Sequence, residues 1–228
     1  GLKFDPLPGA EKEGKVIMQT IGHRESWASR FYKKQVAQEQ VLREMSASPE
    51  ILHIATHGFF LKPDTTLKKR LLKMQRGADT NIPPPGDNPL LRAGLAFAGI
   101  NQSAPFLGEI DTDNDGVLTA MEVLGLDLSG TRVAVLSACE TGLGEIHEGE
   151  GVYGLRRAFN EAGVQTVVNS LWEVSDAGTQ ALMTLFYSKL MKGTPAHEAL
   201  RTAQIELLDS PEWSAPYIWS AFFMVGMG

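Results

Sequence analysis

Three short runs of apolar residues at successive positions, separated by stretches of helical periodicity, constrain this chain most. ILHIAT (51–56), TRVAVLSA (131–138) and VQTVVNSLW (164–172) do not alternate apolar with polar. A strand wetted on one face alternates, whereas a strand covered on both faces does not. VYGLRRAFNEAG (152–163) reads as a helix stopped by Gly163. Ser175 caps a helix with Leu182, Leu185, Phe186 and Leu190 on one face, ending at Gly193. Thr194-Pro195 caps and starts another, to about Leu208. Strands alternating with helices predict an α/β fold, a sandwich with helices on both faces of a central, mainly parallel sheet. Residues 9–21 predict a short helix with Ile17 and Met18 on its apolar face, and about 34–46 a second with Val36, Val41, Leu42 and Met45 inward. RAGLAFAG (92–99) and PYIWSAFFMVG (216–226) read as further strands, and 61–92 as a long, mobile Pro/Gly-rich loop.

The 228 residues show no internal repeat and fit one domain. Lys plus Arg number 21 against 27 Asp plus Glu, a net charge of −6, which argues against a broad nucleic-acid or anionic-membrane footprint. No apolar run approaches the roughly 18 residues of a membrane span, and the charged, Pro/Gly-broken start is no signal peptide. One cysteine, Cys139, leaves no intrachain disulfide, so a reducing, cytoplasmic setting is expected. The first residue is Gly, so the chain reads as part of a longer one.

In parallel α/β folds, reactive groups gather beyond the carboxyl ends of strands. His57-Gly58 follows the first apolar run, and Cys139 follows the second. A thiol needs a base or a cation beside it to become a thiolate at neutral pH, and imidazole supplies that. The residues alone leave the bland alternative open: a lone Cys at a strand end as a small hydrophobe, and a lone His as a hydrogen-bonded structural group.

HIATHGFF (53–60), LSACETGLGE (136–145), GEGVYGLRRAFNEAG (149–163) and SLWEVSD (170–176), in that order, resemble the CHAT domains. These are caspase-like cysteine peptidases related to separases, caspases and metacaspases. The resemblance implies Cys139 as nucleophile, His57 as proton carrier, and the N–H groups of Gly58 and Cys139 as an oxyanion hole. No cofactor is needed for that chemistry. SLWEVSD resembles the separase segment that binds a basic side chain, which implies cleavage after Arg or Lys. Asp176 and then Glu173 would hold the basic group, and Trp172 would wall the pocket. His53 and Ser137 read as packed neighbours of the dyad. The resemblance also implies an upstream helical-repeat region and an activating partner. The alternative is a catalytically silent interaction or calcium-sensing domain.

Residues 111–122 match the EF-hand calcium loop, with Asp111, Asp113, Asp115, the Val117 carbonyl, Thr119 and Glu122 as ligands and Gly116 at the turn. Thr119 and Glu122 also suit a capping box opening a short helix, with no metal. Gly149, Gly151 and Gly154 spell a dinucleotide fingerprint, but a dozen residues separate it from its strand and three glutamates crowd it. Lys68-Lys69-Arg70 makes the long loop a candidate for self-cleavage.

Overall fold

A computed structural model describes residues 3–22, 27–60, 89–101, 115–138, 150–172 and 174–226. The described strands are β1 (Ile51–Ala55), β2 (Gly58–Phe60), β3 (Ala93–Ala96), β4 (Val117–Thr119), β5 (Val133–Ser137), β6 (Thr166–Ser170) and β7 (Phe222–Gly226). The α-helices are α1 (Pro8–Ile21), α2 (Gln40–Arg43), α3 (Ala120–Val123), α4 (Glu150–Glu161), α5 (Asp176–Met191), α6 (Ala196–Leu208) and α7 (Pro216–Trp219). The central sheet runs β1-β5-β6-β7. β1 and β6 both lie parallel to β5, and β7 returns antiparallel to β6. This is the expected mixed α/β sandwich with a mainly parallel sheet between helices.

The middle strands are covered on both faces, so β5 reads as a continuous apolar run, while β6 buries Thr166, Asn169 and Ser170 beside Val167 and Val168. Val133, Val135 and Val168 face Ile17 and Ile21 of α1, Leu182 and Phe186 of α5 and Leu200 of α6. Ala134, Leu136 and Val167 face the other way, onto Leu155, Ala158 and Phe159 of α4 and onto Leu95 and Leu118 of a second sheet. Each fully buried side chain of this size is worth about 1.5–3 kcal/mol. Helix ends follow their local signals. Ser175 accepts a hydrogen bond from Gly178 N–H at the head of α5. Beyond α4, Gly163 has φ +108, and a Cβ there would stand 2.7 Å from Ser129 Cα.

Several expectations need correction. The segment about 34–46 is not one helix: a 3₁₀ turn (Lys34–Val36) precedes α2, and Val36 is 60% exposed. Lys34 has φ +54, which breaks an α-helix at its start. The run 216–226 is not one strand: it opens with α7, since Pro216 suits a first helical turn and lacks a ladder donor, and only then becomes β7. Among the described strands β1 lies at the edge of its sheet, half-buried except at Ile54, and is not enclosed like β5 and β6. The strand expected at 92–99 exists as β3, but it joins an antiparallel sheet, β2-β3-β4. The long loop falls outside the described residues up to position 88, and a 3₁₀ turn (Pro89–Leu91) follows. Among the described residues no helix is long and apolar enough to cross a membrane.

Candidate active site

His57 sits where the chain leaves the central sheet for the small one. β1 ends at Ala55, opposite Ser137 of β5. Thr56 N–H then donates to the Ser137 carbonyl at 3.3 Å, and the Thr56 hydroxyl donates to the Ala96 carbonyl of β3. The His57 carbonyl accepts from Ala96 N–H at 2.9 Å, and Gly58, buried, opens β2. Three consecutive residues therefore fasten the imidazole-bearing turn to both sheets. From the other flank, the Ser170 hydroxyl at the end of β6 donates to the Ala138 carbonyl at 3.4 Å.

The imidazole is oriented by the N-terminal segment. His57 Nε2 lies 2.7 Å from the carbonyl oxygen of Asp5. A carbonyl only accepts, so Nε2 carries the proton, and in the neutral ring Nδ1 keeps its lone pair. The Phe4 ring lies 5.5 Å from the imidazole and 6.0 Å from the Phe59 ring. Asn101 clamps Phe4 both ways, accepting from its N–H at 3.0 Å and donating to its carbonyl at 2.7 Å. The sequence reading missed Phe4, Asp5 and Asn101. Asp5 acts through its backbone, where side-chain type carries no signal.

Behind the turn lies a buried polar group. The Ser137 hydroxyl donates to Glu13 Oε2 of α1 at 3.2 Å. Glu13 is 5% exposed, and its Oε1 lies 3.2 Å from His53 Nε2, without hydrogen-bond geometry. His53 Nδ1 is 2.9 Å from the Tyr187 hydroxyl of α5. Burial, helped by the nearby Glu13 charge, pushes the Tyr187 phenol well above its ordinary range. His53 is thus a packed neighbour joining α1, β1 and α5. It does not share a strand face with His57, because the strand ends before position 57.

Cys139, Glu173, Asp111 and Asp113 lie outside the described residues. Asp176 is the exposed first residue of α5, its carboxylate against the Cα of Gly9 in α1. The half-buried Trp172 donates its indole N–H to the Tyr217 carbonyl at 2.8 Å and stacks on the Tyr217 ring at 5.9 Å. Asp115 Oδ1 accepts from Val117 N–H at 2.8 Å. Thr119 and Glu122 form a complete capping box on α3, and Glu122 Oε1 pairs with Arg43 at 2.9 Å. Among the described residues no group of three or more His, Cys, Asp or Glu side chains stands ready to hold a metal.

Comparison with known proteins agrees with this architecture. A family model described as "CHAT domain" matches residues 1–227. Tetratricopeptide repeat protein 28 of Mus musculus is 28% identical across 98% of this chain, and its Homo sapiens counterpart 27% across 98%. The chain spans only 9% and 8% of the lengths of these two relatives. With the match running through every described element, from α1 to β7, the chain belongs to the CHAT domain family, whose fold is caspase-like.

Proposed function

We propose that this domain is a cysteine endopeptidase acting through Cys139 and His57, with a preference for cleavage after Arg or Lys. One observation carries the reading. Every described β1–β5 pair joins a residue to the one 82 positions later, and Cys139 lies 82 positions after His57. The parallel register that binds the two strands is thus the same spacing that separates the two reactive residues.

In this reading the Cys139 thiol gives its proton to His57 Nδ1, and the thiolate attacks the scissile carbonyl carbon. The oxyanion rests on the N–H groups of Gly58 and Cys139. His57 passes the proton to the amide nitrogen as the C–N bond breaks, leaving a thioester. Water, deprotonated by His57, hydrolyses it and restores the thiol. The Asp5 carbonyl, 2.7 Å from Nε2, holds the ring throughout and stabilises the imidazolium. Asp176, with Glu173 and Trp172, would receive the basic side chain; the Asp176 carboxylate is exposed at the head of α5. Calcium bound by the loop 111–122 would act as a regulator. The relatives' name supports an upstream repeat region, through which a partner would switch the domain on; a reducing, cytoplasmic setting would keep the lone thiol free.

Intact-mass labelling with an electrophilic peptide bearing Arg before the reactive group, beside one bearing Asp, tests this. Stoichiometric labelling by the Arg probe is expected, lost in Cys139→Ala and strongly slowed in His57→Ala. A thiol that reacts with a small alkylator but with neither peptide, in the full-length protein with calcium, would instead mark a silent interaction domain.

A further inference from the structure

α1 buries one stripe along its length, Gly9, Glu13, Ile17 and Ile21, spaced four apart. The two isoleucines join the apolar core, whereas Glu13 places a carboxylate, 5% exposed, in the same stripe. Stability alone does not call for it there. A buried carboxylate costs desolvation, and an apolar side chain of similar size often fills such a place as well or better.

The contacts of Glu13 lie beside the site instead. Its Oε2 accepts from the Ser137 hydroxyl at 3.2 Å, and Ser137 is the last residue of β5. The Ser137 carbonyl in turn accepts from Thr56 N–H at 3.3 Å, one residue before His57. Glu13 Oε1 faces His53 Nε2 of β1 at 3.2 Å. A carboxylate only accepts, so that Nε2 carries a proton, and in the neutral ring Nδ1 accepts from the Tyr187 hydroxyl at 2.9 Å. Burial keeps the phenol protonated. His53 is thereby held in one tautomer between α5 and Glu13. The chain entering α1 meanwhile brings the Asp5 carbonyl to His57 Nε2. One helix both grips the carboxyl end of β5 and orients the imidazole that follows β1.

We propose that Glu13 is a positioning residue: by holding Ser137 and His53, its carboxylate sets α1 against the ends of β1 and β5 so that the Asp5 carbonyl meets His57 Nε2. Its effect on turnover rests on the peptidase reading, whereas its effect on the ring does not.

Long-range proton–nitrogen spectra of the imidazoles, assigned with His57→Ala, test this beside turnover of a peptide with Arg before the scissile bond. The proteins are the wild type, Glu13→Gln, Glu13→Ala and Ser137→Ala, at about pH 8.5, where an ordinary imidazole is neutral. In the wild type the His57 proton is expected on Nε2. Glu13→Ala should let a share of it move to Nδ1 and lower kcat roughly ten- to a hundredfold with KM little changed, the cost of a slightly misplaced group. Glu13→Gln keeps the side-chain length and an acceptor for Ser137, so it should retain the Nε2 tautomer and most of kcat. If Glu13→Ala fails to fold, Ser137→Ala, which removes one hydroxyl, takes its place with the same expected direction. A Glu13 that only stabilises the fold would lower the melting temperature and leave the His57 tautomer as in the wild type, and that result would overturn the positioning role whatever the activity. A wild type that turns over no peptide, while the tautomer still responds to Glu13→Ala, would overturn the peptidase reading and leave the positioning role standing.

Discussion

His57 takes its orientation from a main-chain oxygen, and in the proposed peptidase that has kinetic consequences. The Asp5 carbonyl is placed by Phe4, which Asn101 holds through two hydrogen bonds. Asn101→Ala removes the clamp without touching the imidazole. We expect kcat toward a basic peptide to fall about tenfold, equivalent to about 1.4 kcal/mol, with KM little changed. An unchanged kcat would show that the N-terminal segment does not position the ring. Tyr187 sets a pH effect of opposite origin. Its phenol stays protonated in the fold well above the ordinary tyrosine range. A group with a raised folded pKa stabilises below its unfolded pKa, near 10, and that contribution is lost as pH rises past it. Urea unfolding between pH 9 and 11 should therefore show stability falling by up to about 1.4 kcal/mol per pH unit above 10. Tyr187→Phe should reduce that slope while costing about 1 kcal/mol at neutral pH for the lost His53 hydrogen bond.

At the scale of elements, α3 is a single turn that exists because of the residue just before it, Thr119. Thr119 and Glu122 satisfy each other's backbone N–H groups before Ala120 and Val123 enter the core. Thr119→Ala should destabilise the fold by about 1 kcal/mol, read as a shift of the urea midpoint at constant slope. Elements with this kind of local signal were legible in the sequence. β5 announced itself by an unbroken apolar run and β6 by a non-alternating Val167-Val168 pair, α5 by Ser175 at its head, and the ends of α4 and α5 by Gly163 and Gly193, both at positive φ. Where pairing is distant, local signals failed. β2 and β4 have three residues each and gain their meaning only from β3. The expected helix at 34–46 fails at Lys34 and turns Glu39 inward, an orientation that a charged residue in a polar segment does not advertise. The same holds at the site. His57 was found because it follows a strand, whereas Asp5 contributes a carbonyl that every residue type possesses.

At the scale of the whole molecule, one sheet divides two cores, and His57 follows the carboxyl end of its strand β1. Val133, Val135 and Val168 close one core and Ala134, Leu136 and Val167 the other. Phe159, fully buried against the second, is expected to cost about 3–5 kcal/mol when replaced by Ala. That is a large share of the roughly 5–15 kcal/mol holding a domain together, so a large drop in melting temperature should follow. The central claim concerns what this frame does to one thiol. Since Cys139 is the sole cysteine, the rate of alkylation by iodoacetamide against pH reads its ionisation directly. The account predicts an inflection below the free-thiol value of about 8.5, returning toward that value in His57→Ala. The same inflection near 8.5 in both proteins would contradict it.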